Sequence, residues 1–198
     1  MSDAELPDDA APSRWTQSTV YADMWADPDD DPRETGVETT DERSTLLDYL
    51  RRYRLTLRLK CADLDADQLA RRSVPPSTMS LLGLVRHLAD VERYWFRQVM
   101  ARHDAPPLFR TAENRDAAFD DAIGDPAMVE QAWQAWQAEV SFAEQYTDAT
   151  ADLTTTGTMR DGDTVLLRDV LVHMIEEYAR HCGHAYLLRE RIDGRVGQ

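Results

Sequence analysis

Apolar residues recur every three or four positions in four separate stretches of this chain, and they nowhere alternate for long enough to mark a clear strand. The first stretch covers about residues 40–61, with Leu46, Leu47, Leu50, Tyr53, Leu57 and Leu59 near helical spacing. Pro75 and Pro76 then break the chain. The second stretch opens at Ser80, a suitable N-cap, and runs to about residue 101 with a stripe of Leu81, Leu84, Val85, Leu88, Val91, Trp95 and Val99. The third has Asp125 as N-cap and Pro126 at the first helical position, followed by Met128, Trp133, Trp136, Val140 and Phe142. The fourth starts near Thr164 and stops before Gly194, a residue suited to the end of a helix. A weak alternation over residues 163–167 reads better as the start of that helix than as a strand. The pattern predicts an all-α fold: an antiparallel four-helix bundle with a long crossover between the second and third helices, at about residues 103–124. A loop of that length is expected to form part of a pocket rim.

The first forty residues break this pattern. They are rich in Asp, Pro, Thr and Ala, and residues 27–33 read Asp-Pro-Asp-Asp-Asp-Pro-Arg, which suits neither helix nor strand. Trp15, Val20, Tyr21, Met24 and Trp25 are apolar anchors within them. The division expected is an acidic N-terminal arm, 1–40, that lays its aromatics on a helical body, 41–198.

Charge sharpens that division. The net charge of the 198 residues is −15, and residues 1–43 alone contribute −10, from 13 acids and 3 bases. A body so short of basic residues is a poor partner for nucleic acid. No run of 18 apolar residues suggests a membrane span, and the N-terminus lacks the basic start and apolar stretch of a signal peptide. The two cysteines, Cys61 and Cys182, form no CxxC and suggest a reducing compartment. A cytoplasmic protein is expected.

The chemistry concentrates in the last helix. His173, Glu177, His181 and His184 fall within an arc of roughly 80° at 100° per residue. Imidazole and carboxylate on one stripe suit zinc and neighbouring divalent metals. Glu177 and His181 stand one turn apart, so one helix offers two ligands, and a third must come from elsewhere. The candidates are His87, on or beside the second stripe, and His103, just past its apolar part. Plainer readings stand beside this one. His87 reads equally as a hydrogen-bonded core histidine, Glu177 as a partner of Arg180 or His181, and His184 as a surface residue. Cys182, Trp133 and Trp136 read as core.

Two segments carry a family resemblance. Ser80-Leu-Leu-Gly-Leu-Val-Arg-His87-Leu-Ala-Asp-Val-Glu-Arg-Tyr-Trp95, paired with Val172-His-Met-Ile-Glu-Glu177-Tyr-Ala-Arg-His181-Cys-Gly-His184, resembles the DinB-like superfamily. Within it the chain is most similar to the mycothiol-dependent branch of mycothiol S-transferases and the maleylpyruvate isomerase metal domain. The resemblance spans about residues 40–194 and implies a divalent metal, commonly zinc with nickel or others as alternatives, on His87, Glu177 and His181. It further implies catalysis through that metal, with mycothiol as co-substrate. His184 stands where many relatives carry Gln, which leaves it open as a fourth ligand, a substrate contact or a base. His173 is better placed to support a ligand than to be one. Arg86, Arg93 and Arg180 are candidates for polar contacts to the thiol's body.

The function expected from the resemblance is a metal-dependent transferase that moves a low-molecular-weight thiol onto an electrophilic small molecule. The metal would promote the thiolate that attacks. The rival is a non-catalytic metal-binding or stress-response protein of the same fold. A carboxylate-bridged di-iron bundle would need Glu-x-x-His motifs, which are absent, and a metalloprotease would need His-Glu-x-x-His, also absent. The oligomeric state stays open, a homodimer among the options.

Overall fold

The computed structural model describes residues 31–34 and 38–197. Helix α1 (Glu42–Cys61) begins where Asp41 accepts from the Ser44 backbone N–H while the Ser44 hydroxyl meets the Asp41 N–H, a reciprocal cap. A short helix α2 (Ala66–Ala70) follows under the same type of cap from Asp65 and Gln68. Helix α3 (Leu81–Glu92) starts at the Ser80 cap and continues without a break as a π-helical segment over Arg93–Met100. A one-turn helix, α4 (Ala117–Asp120), interrupts the crossover. Helix α5 (Pro126–Ala149) has the Asp125 cap and N-terminal proline read from the sequence. Helix α6 (Leu167–Asp193) closes at Gly194, whose φ of 77° is the left-handed conformation that glycine tolerates best.

The all-helical expectation needs one correction. Residues 163–166 do not start a helix. Strand β2 (Thr164–Leu166) pairs antiparallel with β1 (Thr156–Thr158), Gly157 facing Val165, and α6 begins only at Leu167. The β-branched residues Thr164 and Val165 favour extended backbone. A close approach also selects this hairpin: a Cβ on Gly157 would stand 2.7 Å from the Met100 sulfur and 2.8 Å from the Val99 carbonyl oxygen. The fold is thus mostly helical with a small two-stranded sheet.

Helix α6 lies against α1 and α3, and α3 lies against α5. The core between them holds Leu50, Leu57, Leu81, Leu84, Leu88, Phe96, Leu171, Met174 and Ala185, all essentially inaccessible. A polar network crosses this core. Arg54 of α1 donates twice to the Glu92 carboxylate of α3, at 2.8 Å each. Tyr178 of α6 donates to the same carboxylate at 2.8 Å and accepts from Trp136 Nε1 of α5, also at 2.8 Å. One buried chain of hydrogen bonds therefore joins the four long helices. Residues 31–34 lie on α1, where Asp31 pairs with Arg33, and Arg51 donates to the carbonyls of Pro32 and Arg33. Trp15, Tyr21 and Trp25, expected on the body, lie outside the described residues. No described helix is long and apolar enough to cross a membrane.

Candidate metal centre

Tyr178 is buried in the network, and its neighbour Glu177 consequently faces α3. There Glu177 Oε1 lies 3.0 Å from His87 Nε2 and 3.2 Å from His181 Nε2. Helix α6 thus supplies two donors one turn apart, and α3 supplies the third. One donor atom from each residue falls within 4.8 Å of the others. The outer oxygen, Glu177 Oε2, accepts from Arg180 Nη1 at 3.1 Å. The ion pair with Arg180 and the convergence with the histidines therefore coexist, one on each carboxylate oxygen. The cluster is partly shielded, with His87 30% exposed, Glu177 12% and His181 11% at the side chain. Hydrogen bonds from His181 and then His87 hold the Glu177 carboxyl far below the usual range, so it is a carboxylate throughout the neutral region.

This donor set fits a divalent metal. Separations of 3.0–3.2 Å match the roughly 3.3 Å edge of a tetrahedron with bonds of about 2.0 Å. Two imidazoles and one carboxylate leave a position for a further group, the pattern of reactive sites and not of closed structural ones.

His184 is not part of this cluster. Its Nδ1 lies 3.3 Å from His181 Nδ1, the ring nitrogen turned away from Glu177. A residue three positions on along the helix thus reaches the side of the His181 ring away from Glu177. Burial, and then the neighbouring His181, pushes its pKa down, so it favours the neutral form. His173 meets Trp95 in a tilted ring contact, with centroids 4.7 Å and planes 55° apart. His103 is exposed and meets Phe142, away from the cluster. Phe119 of α4 lies 5.4 Å from the His87 ring, and it can do so because Gly83 has no side chain: a Cβ there would stand 2.6 Å from Phe119 Cδ1.

A cavity of about 100 Å³ adjoins the centre, lined by His87, Asp90, Tyr94, Trp95, Arg110, Arg115, His173 and Glu177 among others. The crossover does form its rim, as the length of that loop suggested. The arginines named from the sequence have other tasks. Arg86 donates to the carbonyls of Ala117 and Asp121, Arg93 to Pro106 and Glu139, and Arg180 to Glu176 and Glu177. Arg110 and Arg115 line the cavity instead. Sequence reasoning missed them because a loop has no periodicity from which to read a facing side. Trp136 and Cys182 are buried in the core, as expected.

Among curated proteins none matches the chain. Its fold is shared with the crystal structure of the conserved protein of locus from Enterococcus faecalis, at 17% identity and a TM-score of 0.54, covering 79% of this chain and 100% of that one. The mycothiol-S-transferase family matches residues 45–194, a span that includes every residue of the centre. The chain belongs to the mycothiol-S-transferase family.

Proposed function

We propose that the protein is a metal-dependent S-transferase that joins a low-molecular-weight thiol, mycothiol by its family, to a small electrophile. The observation that carries this reading is the convergence of His87 Nε2, His181 Nε2 and Glu177 Oε1 beside a cavity. His87, Glu177 and His181 are the residues that would hold the metal, with zinc the leading choice for this donor set. A divalent cation there supplies Lewis acidity that favours the thiolate form of a thiol near neutral pH. The chain's own residues bind and orient. Arg180 holds Glu177 from outside, His184 sets the His181 ring, and Trp95 and His173, in tilted ring contact, form an aromatic wall to the cavity. Glu177 adds a negative charge to the donor set, which moderates Lewis acidity relative to three neutral imidazoles.

In the same reading α1, α3 with its π-helical extension, α5 and α6 form a four-helix bundle over residues 41–198, with 1–40 appended to it, and the protein works in the cytoplasm. The second reading, a non-catalytic metal-binding protein of this fold, is favoured by the cavity's small volume of about 100 Å³, which leaves the body of a sugar-bearing thiol outside. Conjugation of a bimane electrophile by mycothiol, with and without zinc, separates the two. Acceleration that requires both protein and metal is the expected result. A zinc-loaded protein that accelerates neither mycothiol nor other cellular thiols is a binding protein.

A further inference from the structure

The cavity beside the metal centre is more positive than an acidic chain leads one to expect. The chain carries −15 overall, yet both carboxylates at this cavity are already engaged. Glu177 serves His87, His181 and Arg180. Asp90 is buried, and its two oxygens accept from the backbone N–H groups of Leu108 at 2.6 Å, Phe109 at 3.1 Å and Arg110 at 3.0 Å. Asp90, one turn from His87 on α3, thereby ties the crossover to that helix and sets Arg110 at the cavity. Two guanidinium groups remain. Among the described residues neither Arg110 nor Arg115 makes an ion pair; Arg110 is half-buried, with its Nε buried and without a hydrogen-bond partner, and Arg115 is exposed. The Arg110 guanidinium lies 5.8 Å from the Tyr94 ring centre.

We propose that Arg110 and Arg115 form an anion subsite next to the metal centre, and that the electrophile is a small molecule bearing a carboxylate. The subsite rests on the transferase reading only for its role in the reaction. A planar guanidinium pairs with a carboxylate through two parallel N–H donors, and the partial burial of Arg110 strengthens its share of the pairing, while the exposed Arg115 adds a charge at the mouth. A cavity of about 100 Å³ takes a fragment of a few heavy atoms, which suits the carboxylate end of such a substrate. With its carboxylate on the arginines, the substrate turns its reactive carbon toward the centre. For a haloacetate the step balances simply. The sulfur–carbon bond forms, the carbon–halogen bond breaks, halide leaves with the electron pair, and the thiol proton passes to buffer.

The test uses the full chain, zinc-loaded, with mycothiol and the matched pair iodoacetate and iodoacetamide, each rate divided by its uncatalysed rate. The wild type should prefer iodoacetate by about tenfold or more, and that preference should collapse in the R110M/R115M double variant, which keeps its metal. A second readout needs no turnover: calorimetric titration with unreactive propanoate and propanamide, on zinc-loaded and on chelator-treated protein. Propanoate should bind the chelator-treated wild type and not the double variant, and propanamide should bind neither. Propanoate that binds only with zinc, and equally in the double variant, sits on the metal and overturns the subsite, as does an equal preference for both iodo compounds in wild type and variant. If neither iodo compound is turned over while propanoate binding still depends on the arginines, the transferase reading fails and the anion subsite stands.

Discussion

Glu177 joins two helices through one oxygen. Its Oε1 meets both histidines and its Oε2 meets Arg180, so each face of the carboxylate has a separate task. Removing a donor should therefore cost more than removing a support. His87→Ala and His181→Ala are expected to abolish stoichiometric zinc, measured as metal per chain after zinc loading, and retention of metal by the double variant would refute the assignment. His184→Ala acts on the ring nitrogen of His181 that faces away from Glu177. It should keep the metal but weaken it by about 10- to 100-fold, the usual effect of losing a group that orients a ligand. A complete loss equal to that of His181→Ala would make His184 a ligand after all. The 100° helical rule placed His173, Glu177, His181 and His184 on one stripe, and it could do no more. Which ring nitrogen faces which neighbour depends on rotamers and on the opposing helix, and neither is a property of a stripe.

At the scale of elements, helix starts were legible because their signals are local. Ser80 and Asp125 cap the helices read from them, since a cap needs only a side chain within three residues of the N–H groups it satisfies. The β1–β2 hairpin was not legible, because three residues per strand are too few for a period to appear and the fit of Gly157 against Val99 and Met100 is a long-range contact. Equally invisible was the Arg54–Glu92–Tyr178–Trp136 network, whose members lie 38 and more residues apart and come from four helices. Arg54→Ala leaves the Glu92 carboxylate buried without its counter-charge and should cost about 3–5 kcal/mol in denaturant unfolding. Tyr178→Phe removes one donor and one acceptor and should cost about 1–3 kcal/mol. Because Tyr178 adjoins Glu177, the same change should also weaken zinc binding. An undiminished zinc affinity in a clearly destabilised Tyr178→Phe protein would show that the network holds the fold but does not set the centre.

For the whole molecule, the one lysine of the chain gives a pH signature. Lys60 is fully buried, donates to the Gly197 carbonyl and lies 3.5 Å over the Tyr186 ring. Burial, and then the charge of Arg33, pushes its pKa down from 10.5 to about 6. Between those values the unfolded chain holds a proton that the folded chain does not, so stability rises with pH across that window. Below about pH 6 both states are protonated and this contribution becomes flat. Between about pH 7.5 and pH 8.5 Lys60 should contribute a rise of at most about 1.4 kcal/mol per pH unit, opposed in part by Cys61 and Cys182, whose thiol pKa values burial pushes up to about 12, so the contribution is read as the difference in slope between the wild type and Lys60→Met. Lys60→Met should remove it. A Lys60→Met variant whose slope equals that of the wild type would show Lys60 to be charged in the folded state.

By itself the sequence determined a chain of long amphipathic helices, their caps, the Glu177 and His181 pair one turn apart, and a family resemblance that named His87 as the third donor. Each rests on local periodicity or on a short motif, and such signals survive without knowledge of what the chain packs against. Only the tertiary structure decided the rest. It brought His87 within 3.0 Å of Glu177 because α3 and α6 pack side by side, and it left His103 against Phe142. It placed His184 behind the His181 ring, and it spent Arg86 and Arg93 on loop carbonyls and Glu139. Through Asp90 it brought Arg110 to the cavity. The physical reason is common to all of these: a side chain's role follows from the partner that reaches it across the fold, and that partner is chosen by packing far along the chain.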